Sequence, residues 1–147
     1  MEFMSEKEYE KGIKKARSAC MVVLNPLGDG SLLAMTRRQD FNDIGLPGGK
    51  IDLEKEEHPA DAAVRECFEE TGILVKRETI VPVMCHMART MPCITYLATD
   101  ILGGRLLQVS KEGLPMWVHP HMFLKDACSY KKYNLLIINK LISFGIL

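Results

Sequence analysis

The sequence predicts an α/β (α+β) fold, a mixed β-sheet held between helices. Three observations predict it. Short β-branched and apolar runs are bounded by Gly, Pro and Asn. One well-marked helix stands in the middle of the chain, and a second amphipathic stretch stands at its end. The 147 residues are 47% apolar, enough for one core, so residues 1–147 read as a single domain with residues 1–16 as an N-terminal arm.

Each element has its own local reason. Residues 1–16 are polar and charged and read as a loose arm or a short helix. Residues 18–25 (SACMVVLN) form a buried-strand run, closed by Pro26 and the turn Gly28-Asp29-Gly30. Residues 31–36 (SLLAMT) read as the returning strand, so the two form a hairpin. Residues 39–50 are loop-like, with Asn42-Asp43, Gly45 and Pro47-Gly48-Gly49. A helix is predicted over 59–71: Pro59 suits its first turn and Asp61 its positive end. Ala62, Ala63, Cys67 and Phe68 supply an apolar face, and Gly72 supplies the stop. Residues 79–86, 93–99 and 115–119 read as strands, and 130–144 as a closing amphipathic helix.

Charge and composition exclude several functions. Lys plus Arg and Asp plus Glu each number 19, so the net charge is zero. That argues against a nucleic-acid partner and against an acidic disordered tail. No apolar run reaches the ~18 residues of a membrane span, and the charged N-terminus does not read as a signal peptide. Five cysteines, an odd number with no C-x-x-C spacing, read as free thiols in a reducing cytoplasm. Oligomeric state, monomer or homodimer, stays open.

The chemistry concentrates in residues 48–73. Glu66, Glu69 and Glu70 stand at i, i+3 and i+4, on one face of the predicted helix. Three like charges there repel one another unless a cation neutralises them. Oxygen ligands select a hard ion, Mg²⁺ with Mn²⁺ as a substitute, that bridges to substrate phosphates. Arg65 can pair with Glu69 one turn on. The Gly48-Gly49 turn upstream lets backbone approach a metal or phosphate.

This segment resembles the Nudix hydrolase box, G-x5-E-x7-R-E-U-x-E-E-x-G-U. The chain carries Glu57, then seven residues, then Arg65-Glu66, Cys67 at the aliphatic position, Glu69-Glu70, Gly72 and Ile73. Seven residues instead of five separate Gly49 from Glu57, a two-residue insertion in a loop. Flanking segments resemble the MutT-like members: Thr36-Arg37-Arg38, Pro47-Gly48-Gly49-Lys50, Lys111-Glu112-Gly113-Leu114-Pro115 before Trp117, and Asn134 in YNLLIINKL.

The resemblance implies the Nudix α/β/α sandwich, with the box as loop–helix–loop. It implies metal ligation by Glu66, Glu69, Glu70 and the Gly48 carbonyl, with Glu112 assisting. Glu66 is the first choice for general base and Glu69 the second. Arg65 orients a carboxylate, and Glu57 caps the helix or tunes the site. Arg37 and Arg38 grip phosphate, with one of the two facing inward. Asn134 hydrogen-bonds a base edge, its alternative being a helix cap or a surface residue. Leu46 stands where an aromatic would stack on the base; Phe41 is a substitute or a core residue. The implied reaction is Mg²⁺-dependent cleavage within a diphosphate, as in a nucleoside triphosphate cut to monophosphate and pyrophosphate. The rivals are ADP-ribose, dinucleoside polyphosphate or capped RNA as substrate, and a non-catalytic nucleotide sensor. His119 and His121 read as polar loop residues, Trp117 as sheet packing, and the nine methionines as core filler.

Overall fold

The computed structural model describes residues 2–37, 39–108 and 111–147. Its elements run α1 (Glu6–Lys15), β1 (Ser18–Val23), β2 (Leu32–Thr36), β3 (Ile44–Gly45), β4 (Gly48–Lys50), α2 (Pro59–Thr71), β5 (Ile73–Val75), β6 (Val81–Ala88), β7 (Met91–Ala98), β8 (Ile101–Gly104), β9 (Pro115–Val118) and α3 (Lys131–Ser143). Short 3₁₀ turns occupy Arg77–Thr79 and Pro120–Leu124.

Alternation along β1 and β7 creates the layers. Ala19, Met21, Val23, Ile94 and Tyr96 face one core, which includes Ala60, Ala63 and Cys67 of α2. Cys20, Val22, Cys93 and Leu97 face the other, which includes Tyr133, Ile137 and Leu141 of α3. Side chains of period two therefore put helices on both faces of the strands, and the α/β/α arrangement follows. The sheet between them has the order β4-β1-β7-β6. It is mixed: β1 runs parallel to β7, while β4 and β6 are antiparallel to their neighbours.

The expected hairpin of residues 18–25 and 31–36 is corrected. The strands exist, but only one bridge, Leu24 to Leu32, links them. Both edges of β1 are taken, by β4 and β7, so β2 pairs instead with β3 and β9 in a three-stranded sheet. The stretch 39–50 is likewise not all loop, because β3 and β4 lie in it. The strands expected at 79–86, 93–99 and 115–119 are β6, β7 and β9, each within a few residues of expectation. The two-stranded sheet of β5 and β8 had no clear sequence signal; β5 is three residues long, and Gly103 and Gly104 end β8.

The N-terminal arm is a helix, and it is anchored. Ser5 and Glu8 form a reciprocal capping box on α1. Tyr9 hydrogen-bonds Tyr96 through their hydroxyls at 2.9 Å, and buried Phe3 meets Phe144 with ring centroids 4.7 Å apart.

Helix α2 has the expected bounds. His58, not Glu57, is its cap: the His58 ring nitrogen accepts from the Ala60 N–H at 3.0 Å, and Pro59 follows. Gly72 ends it in the left-handed region, φ 83°. Ala60, Ala63, Cys67 and Thr71 make the buried stripe. Phe68 does not join it and is 48% exposed, because it sits about 100° round the helix from Cys67. No described helix is long and apolar enough to cross a membrane.

Candidate active site

Strand β4 is three residues long, and two of them are glycines. Each glycine admits a neighbour on a different face. A Cβ on Gly48 would stand 2.5 Å from the Cβ of Cys20 and from the Ala19 carbonyl oxygen. On Gly49 it would stand 2.5 Å from the carboxyl carbon of Glu66. The strand can therefore lie between β1 and the acidic face of α2 only without side chains at these positions.

Register decides what the outer edge of β4 offers. Met21 N–H bonds the Pro47 carbonyl and Ile51 N–H bonds the Arg17 carbonyl, both at 3.0 Å. Gly48 opposite Cys20 and Lys50 opposite Ser18 are then the non-bonded positions of the ladder, with their N–H and C=O groups turned away from β1. The partners agree. Gly48 N–H donates to Glu70 Oε1 at 2.7 Å, and the Lys50 carbonyl accepts from Arg65 Nη2 at 3.2 Å. The Gly48 carbonyl lies along this same outward edge.

Arg65 organises the carboxylates. It holds Glu57 by two bonds, Nε to Oε2 at 2.8 Å and Nη2 to Oε1 at 2.9 Å. Its Nη1 reaches Glu66 at 2.9 Å and Glu69 at 3.3 Å. Glu57 is thereby lowered from the ordinary carboxylate value, first by the Arg65 hydrogen bond. The inserted loop closes on itself to bring Glu57 here. Glu57 N–H bonds the Asp52 carbonyl at 3.0 Å, and Asp52 N–H bonds Glu57 Oε1 at 2.9 Å.

Burial raises the Glu66 carboxyl, with Arg65 opposing and the charges of Glu69 and Glu112 adding to the rise. Burial also pushes Glu70 up, to about 8, against the Gly48 hydrogen bond and with help from Glu66, Glu112 and Glu69. Glu112 thus acts electrostatically on both. Its loop is tied to β2, where Thr36 and Leu114 exchange bonds: Thr36 N–H to the Leu114 carbonyl, and Leu114 N–H to Thr36 Oγ1, both 3.1 Å. The donor set is all oxygen, crowded with negative charge and served by one guanidinium, which fits a hard divalent cation. Among the described residues no three ligating side chains already converge on one point.

On the other side of β4 lies a cleft of about 490 Å³. Gly48, Gly49 and Lys50 form one wall, Ala88 to Met91 another, and Tyr130, Tyr133 and Asn134 a third. Among the described residues no Asp or Glu lines it, whereas Lys50 and Arg89 do. Arg89, at φ 61°, forms the turn between β6 and β7 and lies 5.8 Å from the Tyr130 ring centroid.

A family model of the NUDIX domain matches residues 14–134. The chain belongs to the Nudix family. Its catalytic class is that of the Nudix pyrophosphohydrolases. Solved structures share the fold. The MutT protein of Bacillus halodurans is 21% identical, with TM-score 0.65, covering 83% of this chain and 79% of its own. A MutT from a study of Aliivibrio salmonicida and Vibrio cholerae is 18% identical, with TM-score 0.66 and coverage of 87% and 98%. The NUDIX domain of Shewanella oneidensis NrtR, solved with ADP-ribose, is 20% identical, with TM-score 0.67 and coverage of 97% and 99%. Among curated protein sequences there is no significant match.

In this Nudix protein the box residues Gly48, Gly49, Glu57, Arg65, Glu66, Glu69 and Glu70 come together around β4 and α2. Gly72 closes α2 and lets the chain pass against the Arg105 carbonyl. Arg38 lies outside the described residues. Arg37 is half-exposed and paired with Asp43 at 3.2 Å, 5.7 Å from the Tyr130 ring centroid, and it does not line the cleft. Asn134 lines the cleft but is neither a cap nor a surface residue. It is buried, and its Nδ2 donates to the Phe123 carbonyl at 3.0 Å and the Ile44 carbonyl at 3.4 Å. Phe41 is 58% exposed and does not line the cleft, and the cleft aromatics are Tyr130 and Tyr133. Sequence reading missed Arg89, Tyr130 and Tyr133. The Tyr130-to-Asn134 spacing of one helical turn was the available signal for Tyr130; Arg89 had none.

Proposed function

We propose that this Nudix protein is a Mg²⁺-dependent hydrolase, Mn²⁺ substituting, that cuts a nucleoside triphosphate to its monophosphate and pyrophosphate. Oxidised purine nucleotides are included among its substrates. The observation that carries this reading is the position of β4. One face of this three-residue strand meets the carboxylates of α2, and the other walls an acid-free cleft of nucleotide size. A phosphate chain entering past Lys50 and Arg89 would cross from one to the other.

Glu66, Glu69, Glu70, the Gly48 carbonyl and Glu112 would hold the ion. When bound, it would polarise phosphoryl oxygens and lower the pKa of a water. Glu66 takes the proton from the attacking water, and Glu69 is the alternative base. Arg65 holds Glu66 and Glu69 in place from its anchor on Glu57 and does not touch substrate. Arg89 and Lys50 compensate phosphate charge, and Tyr130 offers a face for the base. Five free thiols suit a reducing cytoplasm.

A second reading has its own support. The Shewanella domain that binds ADP-ribose superimposes over 97% of this chain, so ADP-ribose belongs in the same test. The experiment is a turnover panel with Mg²⁺, using normal and oxidised nucleoside triphosphates, ADP-ribose, a dinucleoside polyphosphate and capped RNA. Monophosphate and pyrophosphate from a triphosphate support the proposal. Preferential cleavage of ADP-ribose replaces its substrate. Binding without turnover of any of them makes the protein a sensor.

A further inference from the structure

Two thiols lie on the floor of the cleft, and the hydrolytic reading uses neither. Cys20 of β1 and Cys93 of β7 both line it. Their sulfurs are 3.7 Å apart. Cys20 Sγ lies 3.0 Å from Thr95 Oγ1, which is hydrogen-bonded to the Tyr133 hydroxyl; that hydroxyl also donates to the Cys93 carbonyl at 3.2 Å. A hydroxyl oxygen thus lies beside the Cys20 sulfur, and both cysteines, though buried, border the cleft.

The backbone excludes the simplest use of such a pair. Cys93 is in register with Ser18, and Cys20 stands two residues further along β1. A diagonal of two residues on strands ~4.8 Å apart separates the Cα atoms by about 8 Å. A disulfide bridges Cα atoms no more than about 7 Å apart. The side chains instead lean toward each other until the Cys93 thiol donates to Cys20 Sγ. Their separation has the dimension of a chelate: two thiolates each ~2.3 Å from a tetrahedral metal stand about 3.8 Å apart.

We propose that Cys20 and Cys93 form a two-thiolate site for a thiophilic divalent cation, Zn²⁺ or the softer Cd²⁺. Binding replaces two S–H bonds with two metal–sulfur bonds and releases two protons, with no change of oxidation state. The remaining coordination positions face the cleft and are filled by water. Thiolates select against hard ions, so Mg²⁺ does not compete for this site. A cation there occupies the floor beside Gly48 and excludes a nucleotide from the cleft.

The test uses the intact protein and Cd²⁺ alone, and it involves no turnover, so its failure and that of the hydrolase reading are distinguishable. Cd²⁺ titration is expected to produce ultraviolet thiolate-to-metal charge transfer that saturates at one ion per chain. Excess Mg²⁺ should leave the band in place. Cys20→Ser and Cys93→Ser should each weaken binding at least about tenfold, while Cys85→Ser should bind as wild type. X-ray absorption of the wild-type adduct should count two sulfur ligands, which requires no variant to fold. Absence of the band, its persistence in both cysteine variants, or a count of none, one or four sulfurs overturns the proposal.

Discussion

The backbone of Gly49 passes so close to Glu66 that a Cβ there would stand 2.5 Å from its carboxyl carbon and 2.6 Å from Oε2. Gly49→Ala therefore has to displace the proposed general base. The obstacle lies at the site, where a carboxylate can swing away, so the fold should survive. We expect kcat to fall by about 10²-fold or more, in the range of a lost general base, with the thermal midpoint little changed. Wild-type kcat in Gly49→Ala would remove Glu66 from the mechanism.

Glu66→Gln and Glu69→Gln separate the two candidate bases. Both side chains share Arg65 Nη1, so each amide should be tolerated. Glu66→Gln is expected to cost the larger loss of kcat, about 10²- to 10⁴-fold. A larger loss in Glu69→Gln reverses the assignment, and full activity in both ends it.

Arg65 and Glu57 act as one unit. Arg65→Lys loses the two-pronged grip on Glu57, because an ammonium cannot reproduce the planar fork. We expect each of Arg65→Lys and Glu57→Gln to reduce activity by about 10- to 100-fold, as for residues that orient metal ligands. The double variant should be no worse than the poorer single one. Multiplicative losses would mean that the two residues work separately.

Glu70 ties stability to pH in the metal-free protein. Burial raises its carboxyl to about 8, above the ordinary value near ~4.3. The folded chain then holds this proton more tightly than the unfolded chain. The stability it contributes is complete below about pH 4 and is lost as pH rises through about 8. In excess chelator the thermal midpoint should fall by several degrees across that window. Added Mg²⁺ should raise it most at the alkaline end, where the ligands are ionised. Glu70→Gln should flatten the metal-free profile, and an unchanged slope in that variant would assign the effect elsewhere.

Arg89, rather than Arg37, should govern substrate affinity. Arg89 lines the cleft, whereas Arg37 is committed to Asp43. Arg89→Ala is expected to raise KM about tenfold with kcat nearly unchanged, the signature of lost uniform binding. Arg37→Ala should change KM less. The opposite order would return the phosphate grip to the end of β2.

The box was legible in the sequence because its residues are near one another in the chain. Glu66, Glu69 and Glu70 share a face by helical periodicity alone, and Pro59 and Gly72 mark where that helix starts and stops. The apolar runs in residues 18–25, 93–99 and 115–119 gave the strands for the same local reason. Pairing was not legible: residues 18–25 and 31–36 read as a hairpin, yet β1 spends its edges on β4 and β7. A short turn favours a hairpin, but it does not decide which partner fills the edge of a buried strand.

The sequence by itself determined the family, the carboxylate-bearing helix and the two glycines that precede it. Tertiary structure alone decided the rest of the site. It gave the helix cap to His58 and Glu57 to Arg65, because the inserted loop folds back on itself. It turned the amide nitrogen of Asn134 inward onto Phe123 and Ile44, and it set Arg89 and Tyr130 at the cleft. It also set Cys20 beside Cys93, 73 positions apart in sequence. Local spacing fixes which side chains share a face of one element. Which elements meet depends on burial and strand pairing across the whole chain, and no short stretch of sequence encodes that.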